Sequence, residues 1–276
     1  MHLTELVRLA LEEDVGNGDL TTESTVPAGR RGEAHIRAKQ PLVLCGNAEA
    51  AEVFRQVGAV YQPLVDDGAL VEPGVVFAQV RGPLRALLTG ERVALNLLMQ
   101  LSGIATHTRR FVEGAPGLRV VDTRKTTPLW RASQRRAVRI GGAANHRFAL
   151  YDGILIKDNH IVAAGGITAA VRAARAVAHH LLRIEVECES ATEVEEALAA
   201  GADVIMLDNM DDAQVAAVIQ RHRGQALFEV SGNVSAARLP TLAALGVDLV
   251  SVGGLIHQAT WADISMKLRI VEPDPA

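Results

Sequence analysis

Residues 122–128 read DTRKTTP and place an acid, an arginine, a lysine and three threonine hydroxyls directly behind the short apolar run 118–121. Charged or glycine-rich groups follow other Val/Ile/Leu-rich runs in the same way. Lys157, Asp158 and Asn159 come after GILI, Glu187 closes RIEVE, and Asp208 and Asn209 follow DVIML. Ser231, Gly232 and Asn233 come after ALFEV, and Gly253 and Gly254 after DLVSV. Taken singly, each has an ordinary explanation: an Arg-Lys pair in a wetted turn, a surface lysine, an acid capping a helix. Taken together they are a set of cations, a pair of carboxylates and two flexible turns, which is the chemistry of a multiply charged anion.

The elements that must position them are strands and helices in alternation. The six runs beginning at Arg119, Gly153, Arg183, Asp203, Ala226 and Asp248 are continuous and apolar, as in strands buried on both faces, and Ala-rich helical segments separate the later ones. Spacings of about 20 to 35 residues suit βα units in a parallel sheet. A barrel or a doubly wound sheet would fit, and the gathering of polar residues at every C-terminal strand end favours the barrel, where those ends share one mouth.

The first third has another texture. MHLTELVRLALEED carries a helical period that stops at the Gly-rich VGNGDLTTESTVP. Short β-like runs from Gly32 to Val80 are broken by Gly, Pro and the turn VEPG, and the single helix AAEVFRQVG interrupts them. Thr89 is expected to cap a long helix from Gly90 toward Val112, with Val93, Leu97, Leu98, Leu101 and Ile104 as its core stripe and Gly103 as a close-packing point.

Composition narrows the class of partner. The formal charge is −4 and charged residues make up 22%, so any basic site is local, and 3% aromatics leave few platforms for stacking bases. The only cysteines are Cys45 and Cys188. With no apolar run of membrane-spanning length and no N-terminal leader pattern, a cytoplasmic protein is expected.

On the barrel reading, Arg124, Lys125, Lys157 and the run NHR at Asn145–Arg147 form one arc of the mouth, and Glu187 and Asp208 another. Converging cations need an anion between them, and the two acids suit Mg²⁺ held largely through oxygens of a phosphorylated substrate. The SGN and GG turns offer backbone N–H groups to a phosphate. No Ser-His-Asp order, HExxH, GxxxxGK[ST] or GxGxxG occurs, so residue types alone reach a phosphate-bearing substrate and a divalent metal without reaching a reaction.

The motifs DTRKTTP, GGAANHR, LYDGILIKDNHI, IEVECES, GADVIMLDNM, FEVSGNV and GVDLVSVGGLIHQATWADISMKL, in that order, closely resemble the quinolinate phosphoribosyltransferase family. EDVGNGDLTTESTVP and GERVALNLLMQLSGIAT extend the resemblance over nearly the whole chain. It implies an α/β fold with an N-terminal α/β sandwich, residues 1–112 rejoined by the tail 266–276, and a C-terminal incomplete (β/α) barrel, residues 113–265, of the type II phosphoribosyltransferases. It further implies a homodimer or assembly of dimers, and transfer of phosphoribosyl from 5-phosphoribosyl-1-pyrophosphate to quinolinate with loss of CO₂ and pyrophosphate, with Mg²⁺. Carried over by position, Arg124, His146 and Arg147, with Arg92 from the partner subunit, would hold quinolinate. Lys125 and Lys157 would face the donor, Glu187 and Asp208 would bind the metal or ribose hydroxyls, and Ser231, Gly232, Asn233, Gly253, Gly254 and His257 would line the phosphate end.

Leu129 and Trp130 stand where the family usually carries glycine and a smaller apolar residue, so that loop is expected to differ in shape, and Ala143 replaces a common glycine. Trp130 and Trp261 are read as packing anchors, and Met206 and Met210 as core. Rival readings are a paralogous phosphoribosyltransferase-like protein, molybdenum-transport-associated or nicotinate-specific, and a non-catalytic phosphate-binding barrel. The arginine and histidine set favours a dicarboxylate over a monocarboxylate, and the retained acids and lysines favour catalysis over binding.

Overall fold

A computed structural model describes residues 2–270; the residues 271–276 of the expected tail lie outside the described residues. The strands, in chain order, are β1 (Arg31–Ala38), β2 (Leu42–Val43), β3 (Val60–Pro63), β4 (Leu70–Val71), β5 (Val76–Pro83), β6 (Arg119–Val121), β7 (Ile154–Ile156), β8 (Ile184–Cys188), β9 (Val204–Asp208), β10 (Leu227–Ser231), β11 (Leu249–Ser251) and β12 (Ile264–Ile270). The chain divides into two compact units. The first holds residues up to Arg109, Thr126–Gly142 and the chain from Ile256, and the second holds Arg110–Lys125 and Ala143–Leu255, so the division falls inside DTRKTTP, after Lys125.

The first unit is built on an antiparallel sheet in the order β12-β1-β5-β3. Alternation sets its faces: Gly32, Ala34, Ile36 and Ala38 of β1 point into the core while their neighbours are partly or fully exposed. Phe54, Phe77, Leu87 and Leu98 complete that core, and the Phe54 and Tyr61 rings stack with centroids 6.2 Å apart. The helix Asn47–Gln56 matches the segment expected to be helical, and the VEPG turn joins β4 to β5.

The long helix runs over Leu84–Val112 and begins directly behind Pro83, so Thr89 sits inside it and caps nothing. Its apolar period extends back to Leu84 and Leu87, both buried, and the Thr89 hydroxyl donates to Asp19 Oδ2 at 3.3 Å instead. The expected stripe is buried throughout, and a Cβ on Gly103 would stand 2.2 Å from the Thr260 carbonyl oxygen, which only glycine allows. The same helix satisfies backbone groups at and just beyond β2: Thr106 Oγ1 accepts from Val43 N, and Ser102 Oγ accepts from Cys45 N and donates to Cys45 O. Trp130 packs against this core, whereas Trp261 is 47% exposed and anchors less than expected.

The second unit is a six-stranded, wholly parallel sheet in the order β6-β11-β10-β9-β8-β7. Every sequential pair is made except β6 with β7, and the first strand lies beside the last. That is the order of a barrel opened at one seam, as the sequence led us to expect. The outer edge of β6 is taken up by Ala144, which exchanges hydrogen bonds with Val120 and Asp122. Helices Asp158–Ala164, Ile167–Val177, Ala191–Ala199, Asp212–His222 and Leu239–Leu245 connect the strands. Two begin with caps that polar side chains dictate: Ser190 Oγ accepts from Glu193 N, and Asp211 and Gln214 form a capping box. Glu187 and Asp208 are therefore not caps; they belong to β8 and β9. Met206 and Met210 are buried as core.

Candidate active site

In a parallel sheet, direct partners project from the same face. Glu187 partners Met206, Met206 partners Glu229, and Asp208 partners Ser231, while Glu185 sits two residues before Glu187. Glu185, Glu187, Asp208, Glu229 and Ser231 therefore share one face, and the other carries Ile184, Val186, Leu207 and Val230, all fully buried. Over β8, β9 and β10 the acids gather on one face, and the opposite face is apolar. Sequence reasoning missed Glu185 and Glu229, although the alternation in IEVEC already puts Glu185 on the face of Glu187.

Asp122, at the end of β6, is fully buried and organises the basic loop. Its Oδ2 accepts from Asn145 Nδ2 at 2.6 Å and its Oδ1 from His146 N at 3.0 Å. His146 then turns its ring inward: Nε2 lies 3.2 Å from Glu185 Oε2 and 3.4 Å from Glu229 Oε2, and Nδ1 accepts from Arg147 N at 2.7 Å. Burial alone would lower the histidine's pKa, but the hydrogen bonds to Glu185 and Glu229 outweigh it and push the value up to about 10. Burial likewise raises Glu185. The Arg147 amide needs a lone pair on Nδ1, so the extra proton is shared along the Nε2–carboxylate axis and belongs to the three groups jointly.

Arg147 Nη1 donates to Gly153 O at 3.0 Å, and burial together with the positive charge of Arg124 holds its guanidinium below the ordinary value. Two planar forks thus stand near one another, an arrangement that a dicarboxylate would relieve. Lys157 pairs with Glu187, which is 9% exposed. Lys125 runs past Gly253, where a Cβ would come 2.8 Å from its Cδ.

The turns after β9 and β10 interlock. Asn209 (φ 54°) donates from its backbone N–H to Ser231 O at 3.1 Å, and Asn233 (φ 49°) reaches Asn209 Oδ1 at 3.4 Å. Gly232 has φ +84°, and a Cβ there would stand 2.9 Å from Asn209 N, so glycine is obligatory. Gly253 and Gly254 lead into the short helix Gly254–His257. Within the second unit, then, Arg124, Lys125, His146, Arg147, Lys157, Glu187, Asp208, Ser231, Gly232, Asn233, Gly253 and Gly254 all stand at or beyond C-terminal strand ends.

Arg92 and His257 belong to the first unit. Arg92 lies on the long helix and lines a cleft of about 320 Å³ with Asp14, Asp19, Thr21 and Thr89. The threonines of DTRKTTP have structural partners: Thr123 Oγ1 accepts from Lys125 N, Thr126 Oγ1 from Arg131 Nε, and Thr127 Oγ1 from Gln134 Nε2. Leu129 adopts φ 69°, a left-handed backbone in which glycine costs least.

Sequence profiles for the two domains of quinolinate phosphoribosyl transferase match residues 19–102, the N-terminal domain, and 104–267, the C-terminal domain. The chain belongs to the quinolinate phosphoribosyltransferase family. It is 42% identical, over 98% of its own length and 94% of the relative's, to a probable nicotinate-nucleotide pyrophosphorylase (carboxylating) of Bacillus subtilis. It is 38% identical, over 99% and 94%, to the human nicotinate-nucleotide pyrophosphorylase (carboxylating). The crystal structure of NadC from Streptococcus pyogenes superposes with a TM-score of 0.93 at 39% identity, covering 98% of this chain and 97% of that one. The human nicotinic acid phosphoribosyltransferase shares the fold, with a TM-score of 0.67 at 15% identity over 100% of this chain and 75% of that one. The α/β reading, an antiparallel N-terminal sheet and a six-stranded parallel C-terminal sheet, is that of the family's structures.

Proposed function

We propose that this enzyme transfers phosphoribosyl from 5-phosphoribosyl-1-pyrophosphate to the ring nitrogen of quinolinate, with decarboxylation to nicotinate mononucleotide, in NAD synthesis. The observation that carries the proposal is the Arg124–Arg147 pair, each fork offering planar N–H donors, beside strand ends that bear Lys125, Lys157 and two carboxylates. A nicotinate-specific site would need one such fork, and a mere phosphate binder would have no use for acids on the same face.

In this reading Arg124, His146 and Arg147 form the quinolinate pocket, with Arg92 contributed by a second copy of the chain in a homodimer or an assembly of dimers. Lys125 and Lys157 bind the donor, and its pyrophosphate competes with Glu187 for Lys157. The turns at Ser231–Asn233 and Gly253–Gly254, with His257, take the 5′-phosphate. Glu187 and Asp208 are hard oxygen donors on adjacent strands and so fit Mg²⁺, which when bound would neutralise charge on the pyrophosphate.

As the C1′–O bond breaks, its electron pair leaves with pyrophosphate and C1′ becomes oxocarbenium-like, which the nearby carboxylates stabilise. The ring nitrogen closes the new C–N bond and becomes positive. The bond from C2 to its carboxylate then breaks, CO₂ departs, and the electron pair stays on C2 beside the positive nitrogen until water or a lysine delivers a proton. The reaction belongs to the cytoplasm, and no helix among the described residues is long and apolar enough to cross a membrane.

Purified protein given 5-phosphoribosyl-1-pyrophosphate, Mg²⁺ and either quinolinate or nicotinate should form mononucleotide from quinolinate alone. Turnover of nicotinate only would replace this reading with the paralogue, and no turnover of either would leave a binding protein.

A further inference from the structure

The site described above has a layer beneath it that the proposed reaction does not use. Glu185 and Glu229 are 6% and 1% exposed, lie on separate strands of the parallel sheet, and both close on the single nitrogen Nε2 of His146. In each acid the second oxygen, Oε1, is buried with no protein hydrogen-bond partner. Two carboxylates buried at this depth are expensive unless their geometry serves something.

What they serve is visible at the other side of the ring. Two acceptors on Nε2 require that nitrogen to carry the proton, so Nδ1 keeps its lone pair, and that lone pair receives the Arg147 N–H at 2.7 Å. The next peptide along therefore has a fixed orientation. The Arg147 guanidinium is held in turn by Gly153 O, and the aliphatic part of its side chain packs over Gly153, where an added Cβ would come 3.2 Å from Arg147 Cβ. Asp122 fixes the preceding peptide through His146 N. The same three atoms could suggest a metal site, since a histidine nitrogen and two carboxylate oxygens lie within 4.8 Å of one another. A metal on Nε2 would move the ring proton to Nδ1, where it would face the Arg147 N–H donor to donor; the geometry selects the proton.

We propose that Glu185 and Glu229 are positioning residues for the quinolinate pocket: they fix the Nε2–H tautomer of His146, which orients the Arg147 backbone and so aims its guanidinium at a substrate carboxylate. The inference rests on the quinolinate reading of Arg147. On it, His146 acts through its neighbour, since both its ring nitrogens are engaged within the protein.

The test compares the double variant Glu185→Leu/Glu229→Leu, which removes both acceptors, with Glu185→Gln/Glu229→Gln, which keeps an amide oxygen at each position. The Leu pair should raise the quinolinate KM, and the quinolinate Kd measured by calorimetry, roughly tenfold or more, as expected for a misplaced binding group. The KM for 5-phosphoribosyl-1-pyrophosphate should stay within about twofold, and the Gln pair should recover most of the loss. ¹⁵N-histidine spectra should show the Nε2–H tautomer for His146 in the wild type and the Gln pair, and a mixture in the Leu pair. Equal rises in both KM values, a Gln pair no better than the Leu pair, or one equivalent of metal retained by the wild type through chelation and lost from both variants would each overturn the proposal. If the wild type failed to turn quinolinate over, the functional reading would fall, while the spectra would still decide the tautomer lock; a Leu pair that does not fold leaves the decision to the Gln pair, whose loss of the Nε2–H signal would sink it.

Discussion

Each unit of this protein holds a cluster of charge at low exposure, and two of these clusters are built on opposite principles. In the first unit Arg136 donates to Glu49 Oε2 at 2.5 Å and to Asp67 Oδ2 at 2.7 Å, and Asp67 also accepts from the backbone of Gly46 and Asn47. One permanent cation is clasped by two acids, and the network ties the helix Arg131–Ile140 to the helix Asn47–Gln56. In the second unit His146 stands between Glu185 and Glu229, and each acid keeps an orphaned oxygen. The first cluster is satisfied and resembles a rivet. The second is under-satisfied and titratable, and it lies directly beneath the residues that would meet substrate. Incomplete satisfaction of buried polar groups marks the place where geometry is held for function at a cost to stability.

The contrast can be broken most severely at Arg136. Arg136→Met should destabilise the protein by roughly 3–5 kcal/mol, because it strands Glu49, 2% exposed, without its cation. The midpoint of urea denaturation measures this, and a shift no larger than that of a surface substitution would mean the rivet is decorative. Glu229→Leu should behave differently. It leaves His146 a one-to-one partner in Glu185 and removes one orphaned oxygen, so its stability cost should be on the order of 1 kcal/mol or less. A loss as large as that of Arg136→Met would erase the distinction between the clusters.

Acidity separates them as well. The proton that His146 shares with Glu185 and Glu229 is held up to about 10, above histidine's ordinary value of 6.5, so the stabilisation the cluster brings is complete below pH 6.5 and is lost as pH rises through about 10. Denaturation midpoints of the wild type should fall between neutral and alkaline pH, and those of a His146→Gln variant should fall less. A parallel fall in both would place the titration elsewhere. The smallest effect is expected at Leu129, whose left-handed backbone adjoins the helix that carries Arg136. Leu129→Gly should raise stability by up to about 1 kcal/mol with no change in substrate affinity; a destabilised glycine variant would show that the leucine side chain contributes more than its backbone strain removes.

How far the sequence could be read follows the same division. Residues at strand ends were legible, because a charge after an apolar run has few structural duties, and the six such positions favoured a parallel barrel over a doubly wound sheet, while its open seam was implied only by the family resemblance. Glu185 was legible only as parity with Glu187, and Glu229 was not legible, because an acid inside an apolar run looks like the end of a strand until the neighbouring strand shows which face it shares. Thr89 misled for a related reason: a capping residue before a helical stripe is persuasive, but β5 passes into the helix at Leu84 with no loop, so no cap was needed. The threonines of DTRKTTP were equally open to substrate or turn, and only the partners Arg131 and Gln134, five and seven residues further on, show the turn. Register and side-chain direction are tertiary facts, and a single sequence contains them only as parity.

The central claim is that ribosylation of the ring nitrogen is what releases CO₂. Quinolinate labelled in its 2-carboxyl group, incubated with the enzyme and Mg²⁺, should yield no labelled CO₂ until 5-phosphoribosyl-1-pyrophosphate is added, and then one CO₂ for each mononucleotide formed. Labelled CO₂ released without the donor, or mononucleotide formed with the 2-carboxyl group retained, would contradict it.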